Sequence, residues 1–292
     1  MSGSSGYVGS VLARELAAGG WRVRELTRSG APSLAGAEAA RFALGDDAAV
    51  ALEGAEALVH CAWDFGLRTW AEIEETNVRG SERLLRAAAG AGVERVVVVS
   101  TLSASRGVRS HYGRAKLAVE AATHAVGGAV VRPGLVWGEP PRSLYGTLSR
   151  LALRLPLLPA PDARDGRLRT THEADLAGLV RRLLDEGPPS AARPIVAAAP
   201  EPWRLADLLV ATAAAAGRRV RVVPVPWRVP WALLRLLEVA GLRPPFRSDS
   251  LVSLVGLRGD PYADGALPPP TPFRSFAPGA AAQASATSDA IR

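Results

Sequence analysis

Apolar residues at Val8, Val11, Leu12 and Leu16 mark one face of a helix, and the paired glycines Gly19 and Gly20 predict its end. Short apolar stretches follow at residues 21–27, 57–62 and 96–99. The last, four valines in a row, reads as a parallel strand buried on both faces. Helical spacing predicts helices over 76–89 and 112–126, and a further strand over 129–132 stops at Pro133. Strands and helices alternating in this way predict βαβ units around a parallel sheet.

Beyond Gly134 the pattern loosens into short helices at 144–155, 173–184, 205–216 and 231–240, separated by proline-rich turns. The chain therefore divides into a first domain over 1–134, a smaller and mostly helical second lobe over 135–259 that is intertwined with it, and a tail over 260–292 without periodicity, expected to be disordered. Trp203, Trp227 and Trp231 are expected to pack within or between lobes. An apolar substrate pocket and a membrane-surface helix are the other readings of the same residues.

Composition narrows the class. With 48% hydrophobic and 22% charged residues the chain is a globular protein, and it carries neither a membrane-spanning run nor a signal-peptide pattern, so a cytoplasmic location is expected. Cys61 is the single cysteine and the four histidines lack paired ligand spacing, so no metal site is expected. The net charge of +7 comes from arginines that read as scattered, without a basic stripe interleaved with aromatics, so nucleic acid is not expected as a partner. Lys116 and Asn77 are the only lysine and the only asparagine.

Two constellations carry chemistry. GSSGYVG places Gly3, Gly6 and Gly9 at the mouth of the first helix, where the backbone can approach a pyrophosphate and free N–H groups attract its charge. MSGSSG is also the kind of flexible linker that cloning leaves behind. Only Met1 and Ser2 precede Gly3, so the central strand of a dinucleotide fold is missing. A late translation start is the favoured explanation, and a gap or strained closure beside Gly3 is expected. The second constellation, STLSASRGVRSHYGRAK, sets Tyr112 and Lys116 four apart on one helical face, where an ammonium would favour the phenolate. Thr101 ends the preceding strand and could bond a reacting oxygen.

With these motifs the chain, over about residues 2–257, resembles the extended short-chain dehydrogenase/reductase family, the NAD(P)-dependent epimerase/dehydratase group. GSSGYVG resembles the family's glycine loop, YGRAK its tyrosine and lysine pair, TNVRG its asparagine segment, RPGLVWG its nicotinamide-lining segment, and THEAD a signature of the second lobe. The resemblance implies a doubly wound, Rossmann-like α/β sheet. It implies Tyr112 as general acid/base, Lys116 as its pKa modifier and a ribose ligand, Asn77 as a relay member, and Thr101 or Ser103 as the group orienting substrate oxygen. Gly3, Ser5, Gly6, Tyr7, Val8, Asp46, Cys61, Ala62, Pro133 and Val136 become candidate cofactor contacts, although Asp46 is equally a turn residue paired with Asp47.

The second strand ends in ELTRS, with Arg28 where an NAD binder usually has an acid, so NADP is expected in preference to NAD. Leu102 and Ser103 stand where sugar dehydratases of the family carry an acidic pair, which argues against that reaction. The expected function is hydride transfer between a nicotinamide and a small carbonyl or alcohol substrate, tilted by the apolar second lobe toward an apolar ketone or aldehyde. A nucleotide-sugar epimerase using the same residues and a non-catalytic NAD(P)-binding sensor or assembly factor are the alternatives. The resemblance also allows a homodimer.

Overall fold

The computed structural model describes residues 1–105, 107–162, 167–187, 192–242, 244, 246–257 and 260–279. Along the chain the elements are α1 (Tyr7–Ala18), β1 (Arg24–Thr27), β2 (Glu38–Arg41), α2 (Ala49–Leu52), β3 (Ala57–His60) and α3 (Trp70–Ile73). A π-helical segment (Glu74–Arg79) then leads into α4 (Gly80–Gly90), β4 (Arg95–Val99), α5 (His111–Ala125), β5 (Ala129–Pro133), β6 (Leu135–Trp137) and α6 (Ser143–Arg154). The remainder comprises β7 (Leu157–Asp162), β8 (Thr170–His172), α7 (Glu173–Glu186), β9 (Ile195–Ala197), α8 (Leu205–Ala215), β10 (Arg221–Pro226), α9 (Arg228–Val239) and α10 (Ser248–Val255).

The chain folds into two compact units. The first contains Met1–Pro133, Glu173–Ala197 and Asp260–Thr271. Its strands are all parallel: β1 pairs with β2, and β3, β4, β5 and β9 follow in that order. Met1 and Ser2 stand between the two groups. Ser2 bridges Leu26 and His60, its N–H donating to Val59 O (3.0 Å) and its carbonyl accepting from Cys61 N (3.0 Å), while Met1 O accepts from Leu26 N (2.8 Å). The gap expected beside Gly3 is thus closed at that end of the sheet by two residues, Ser2 bonding along β3 and Met1 bonding β1, so that backbone groups of both edges are engaged there.

Helix α1 buries Gly9, Leu12, Ala13 and Leu16 and ends as its sequence predicts. Trp21 N–H reaches Leu16 O and Gly20 N–H reaches Ala17 O, with Gly20 at φ +91, a left-handed cap that glycine adopts without strain. The four-valine run lies in β4 with Val96 to Val99 buried, as expected for a strand covered on both faces. Leu58, Leu84, Leu85, Val96, Val98 and Val119 form the core on one side of the sheet.

Three expectations are corrected. The helix expected over 173–184 as part of the second lobe is α7, which belongs to the first unit and packs on α1. Periodicity reveals that a helix has an apolar face, not what that face meets. The tail expected to be disordered from residue 260 is ordered through residue 279; its last residues, 280–292, lie outside the described residues. Leu267 bonds Pro194 O (2.8 Å) and Val196 N (2.9 Å) as an added backbone rung beside β9. Trp231, expected in a packed interior, is exposed.

The second unit comprises Gly134–His172, Ala198–Gly259 and Pro272–Arg292. It holds the parallel pairs β6 with β8 and β7 with β10, and its core gathers Leu148, Leu208 and Leu209. There Phe276 meets the rings of Trp137, Tyr145 and Trp203 edge-on, at centroid separations of 5.1, 5.6 and 5.4 Å. Among the described residues, no helix is long and apolar enough to cross a membrane.

Candidate active site

The strand ends of the first unit position the site. Gly3, at φ +78, turns the chain from Ser2 toward α1, and a Cβ there would overlap the backbone at Cys61 and Ala62. A Cβ on Gly9 would overlap the Gly3 carbonyl, so only glycine lets α1 approach the loop this closely. Gly6 is the N-cap of α1 and brings no side-chain cap of its own, and Tyr7 and Val8 stand in the first turn. Ser5 and Gly6 are exposed beside them. A positive helix end behind a glycine cradle fits a dinucleotide pyrophosphate.

After β4 the chain turns tightly. Leu102 N–H donates to Pro133 O (2.9 Å), Ala104 N–H to Thr101 O (3.0 Å) and Ser103 N–H to Thr101 Oγ1 (3.1 Å), which ties the Thr101 loop to the end of β5. Ser110 then starts α5, its hydroxyl accepting from Gly113 N (3.1 Å). This arrangement places the Thr101 hydroxyl near the Tyr112 phenol. Ser103 stays in the same loop without touching the phenol in any bond described here.

Burial pushes the Tyr112 phenol up to about 12, only partly offset by the Thr101 hydroxyl. The Lys116 ammonium turns to Val99 O (2.8 Å) and lies 4.3 Å from the centroid of the Trp63 ring. Burial brings it down to about 8, with Cys61 and Glu120 acting in the opposite direction. Trp63 meets Tyr112 edge-on at 5.4 Å, and Phe65 lies tilted over the same phenol at 5.9 Å. Cys61, half-buried at the end of β3, has its thiol pushed up to about 12 by burial, so it is a protonated packing residue.

Asn77 lies fully buried in the π-helical segment, a local widening of the helix that often marks functional sites. Its Oδ1 accepts from Asp64 N (2.8 Å) and its Nδ2 donates to Asp64 O (3.0 Å). The amide therefore clamps the loop that carries Trp63 and Phe65, and the bonds described for it do not reach Lys116. Asp46 makes a turn bond, its Oδ2 accepting from Ala43 N (2.8 Å). Arg28 is exposed at the end of β1 and makes no ion pair with a described residue, whereas Glu25 is buried with its Oε2 accepting from Ser33 N and Oγ (2.6 and 2.8 Å). Val136 is half-buried in β6, in the second unit.

Sequence reasoning missed the aromatic residues beside Tyr112. Their signal was the run Trp63, Asp64, Phe65 directly after a buried strand, the end of a parallel sheet where ligands bind. It also missed Glu120, which meets Arg132 through two parallel bonds (2.9 and 2.6 Å) while Asp264 takes a third (2.6 Å). This buried network links α5, β5 and the segment near residue 264, and no local pattern announces it.

The NAD-dependent epimerase/dehydratase family model matches residues 1–154. A ceramide reductase from Caulobacter vibrioides is 31% identical over 185 residues, 61% of this chain, and the chain spans 57% of that relative's length. Among solved structures, MoeE5 in complex with UDP-glucuronic acid and NAD superposes with a TM-score of 0.65 at 22% identity, covering 89% of this chain and 92% of that one. The UDP-glucose 4-epimerase of Thermus thermophilus, in complex with NAD, gives 0.61 at 22% identity, covering 87% and 96%. At that identity the two structures speak for the fold. The family match covers more than half of the sequence, from the glycine loop through Tyr112 and Lys116, and so this chain belongs to the NAD-dependent epimerase/dehydratase family.

Proposed function

We propose that this protein is an NADPH-dependent reductase of a ketone or aldehyde on an apolar, lipid-like molecule. One observation carries the reading: burial beside Trp63 and Phe65 pushes the Tyr112 phenol up to about 12, with the Thr101 hydroxyl near enough to oppose the shift. A phenol with that pKa is protonated at neutral pH, the form that donates to a carbonyl oxygen as it becomes an alcohol. Thr101 would orient the same oxygen, with Ser103 as the other hydroxyl within the loop.

Trp63 and the exposed Phe65 give the phenol an apolar neighbourhood, a better match to a lipid than to a sugar. Leu102 and Ser103 offer no carboxylate for dehydration. The ceramide reductase relative points the same way. The glycine loop and the first turn of α1 would hold the pyrophosphate, Lys116 the ribose, and Arg28 the 2′-phosphate that distinguishes NADPH. The nicotinamide, when bound, supplies the hydride.

The test follows NADPH oxidation with long-chain ketones, short ketones and UDP-hexoses as substrates. Long-chain ketones are expected to turn over, and Tyr112→Phe is expected to keep NADPH binding, read as tryptophan quenching, while turnover falls by roughly a hundredfold or more. Full activity in that variant, or epimerisation of UDP-hexoses in place of reduction, would overturn the reading.

A further inference from the structure

The positive charge is not scattered after all. Residues 217–247 contain seven arginines and one glutamate, so nearly all of the net +7 resides in a stretch of 31 residues. The same stretch holds α9, whose burial is inverted. Its buried residue is Glu238, while Val229, Leu233, Leu236 and Val239 are 61%, 58%, 65% and 73% exposed.

The spacing makes the inversion a surface. Val229, Leu233 and Leu236 stand at i, i+4 and i+7 and form one outward stripe, with Val239 at its edge. Arg228 and Arg235, seven apart and both exposed, run together along one flank. Glu238, nine residues after Val229, lies on the opposite side of the helix. There it accepts from Ser248 N (2.9 Å) and Oγ (2.7 Å) and faces Arg235 (3.7 Å) and Arg247 (3.9 Å), so the only acid of the segment is neutralised facing inward. Next to it, the pair β7 and β10 leaves Leu157 and Val223 exposed, with Arg221 opposite Leu157 in register.

We propose that this face docks on an anionic phospholipid bilayer, with α9 lying in the interface plane, its leucine stripe in the acyl boundary and its arginines at the headgroups. Charge decides the occupant. A second copy of the chain would bring arginine against arginine across the contact, whereas anionic headgroups meet the same arginines with the opposite sign. The helix has 12 residues, enough to lie on a membrane and too few to span one. The inference does not depend on the reaction assigned to the site.

The experiment sediments the full chain with vesicles of phosphatidylcholine alone and of phosphatidylcholine with phosphatidylglycerol, at low and high salt. Binding is expected to the anionic vesicles, at least roughly tenfold tighter than to the neutral ones and weakened by salt. The triple variant Val229→Ser, Leu233→Ser, Leu236→Ser is expected to lose sedimentation while its melting temperature is kept, because these side chains are exposed. Arg228→Glu with Arg235→Glu is expected to abolish the preference for anionic lipid. No binding to anionic vesicles, or binding by both variants equal to the parent's, would overturn the proposal. So would a dimeric parent that the serine variant converts to monomer, which would assign the face to a second copy. Should a variant fail to fold, the lipid and salt dependence of the parent decides alone.

Discussion

The Lys116 ammonium rests 4.3 Å from the centre of the Trp63 ring, and the Tyr112 phenol packs edge-on against that same indole. Holding the ammonium at about 8 instead of 10.5 corresponds to roughly 3 kcal/mol against the charged form in the fold. The sign follows from proton binding. Between about 8 and 10.5 the unfolded chain keeps a proton that the folded chain has released, so stability rises with pH across that window, and below about 8 the full cost stands. Lys116→Met should therefore stabilise the protein at pH 7 by about 1–3 kcal/mol, the lost bond to Val99 O setting the lower end. Denaturant unfolding at pH 7 and pH 10 checks this: the variant should be the more stable at pH 7, and its advantage should shrink at pH 10.

Asn77 offers a way to separate clamping from proton transfer. Asn77→Ala strands the N–H and C=O of Asp64, and should cost about 1–3 kcal/mol in urea unfolding. Because the freed loop carries Trp63 and Phe65, KM for an apolar substrate should rise more than kcat falls. A collapse of kcat with KM unchanged would instead assign Asn77 to the proton path that the family resemblance implies.

Arg28 tests the choice of cofactor. It is exposed at the end of β1, and Glu25, the acid of that strand, is turned inward onto Ser33. Arg28→Glu should raise KM for NADPH roughly ten- to hundredfold while improving KM for NADH, since a carboxylate repels the 2′-phosphate and accepts from ribose hydroxyls. Steady-state kinetics with both cofactors measures the swap, and equal KM changes for the two would remove Arg28 from the cofactor site.

What the sequence discloses here is local. The glycine loop, the valine strand and the pair Tyr112 and Lys116 each lie within a few residues of one another, and helical or strand periodicity places them correctly. Phe276 and Asp264 were illegible because each acts as a single side chain inserted from a segment without period, against Trp137 and Arg132 far away in the chain. The closure beside Gly3 could not be read for a related reason: Met1 and Ser2 alone carry the pairing that a strand of six was expected to supply. The orientation of Lys116 could not be read either, because a four-residue spacing fixes the face of a helix and leaves open which of Val99 O, Trp63 and Tyr112 the long side chain will choose.

His60 is the last group whose protonation has a readable consequence. Its Nδ1 lies 2.6 Å from Ser2 Oγ and its Nε2 2.8 Å from Ser81 Oγ. Ser81 donates its one proton to Asn77 O (2.5 Å), a carbonyl that can only accept, so Ser81 must accept from Nε2–H. Burial, followed by the charge on Lys116, brings the ring's pKa down to about 3, so it is neutral and Nδ1 is bare, accepting from Ser2 Oγ. Between about 3 and 6.5 the unfolded chain binds a proton that the folded chain refuses, so stability falls as pH drops through that window, by about 1.4 kcal/mol per pH unit from this residue. From pH 7 to pH 5 the parent should lose roughly 2 kcal/mol more than His60→Gln, whose side chain does not titrate. Urea unfolding at the two pH values measures the difference, and parallel losses in parent and variant would mean that His60 accepts a proton inside the fold.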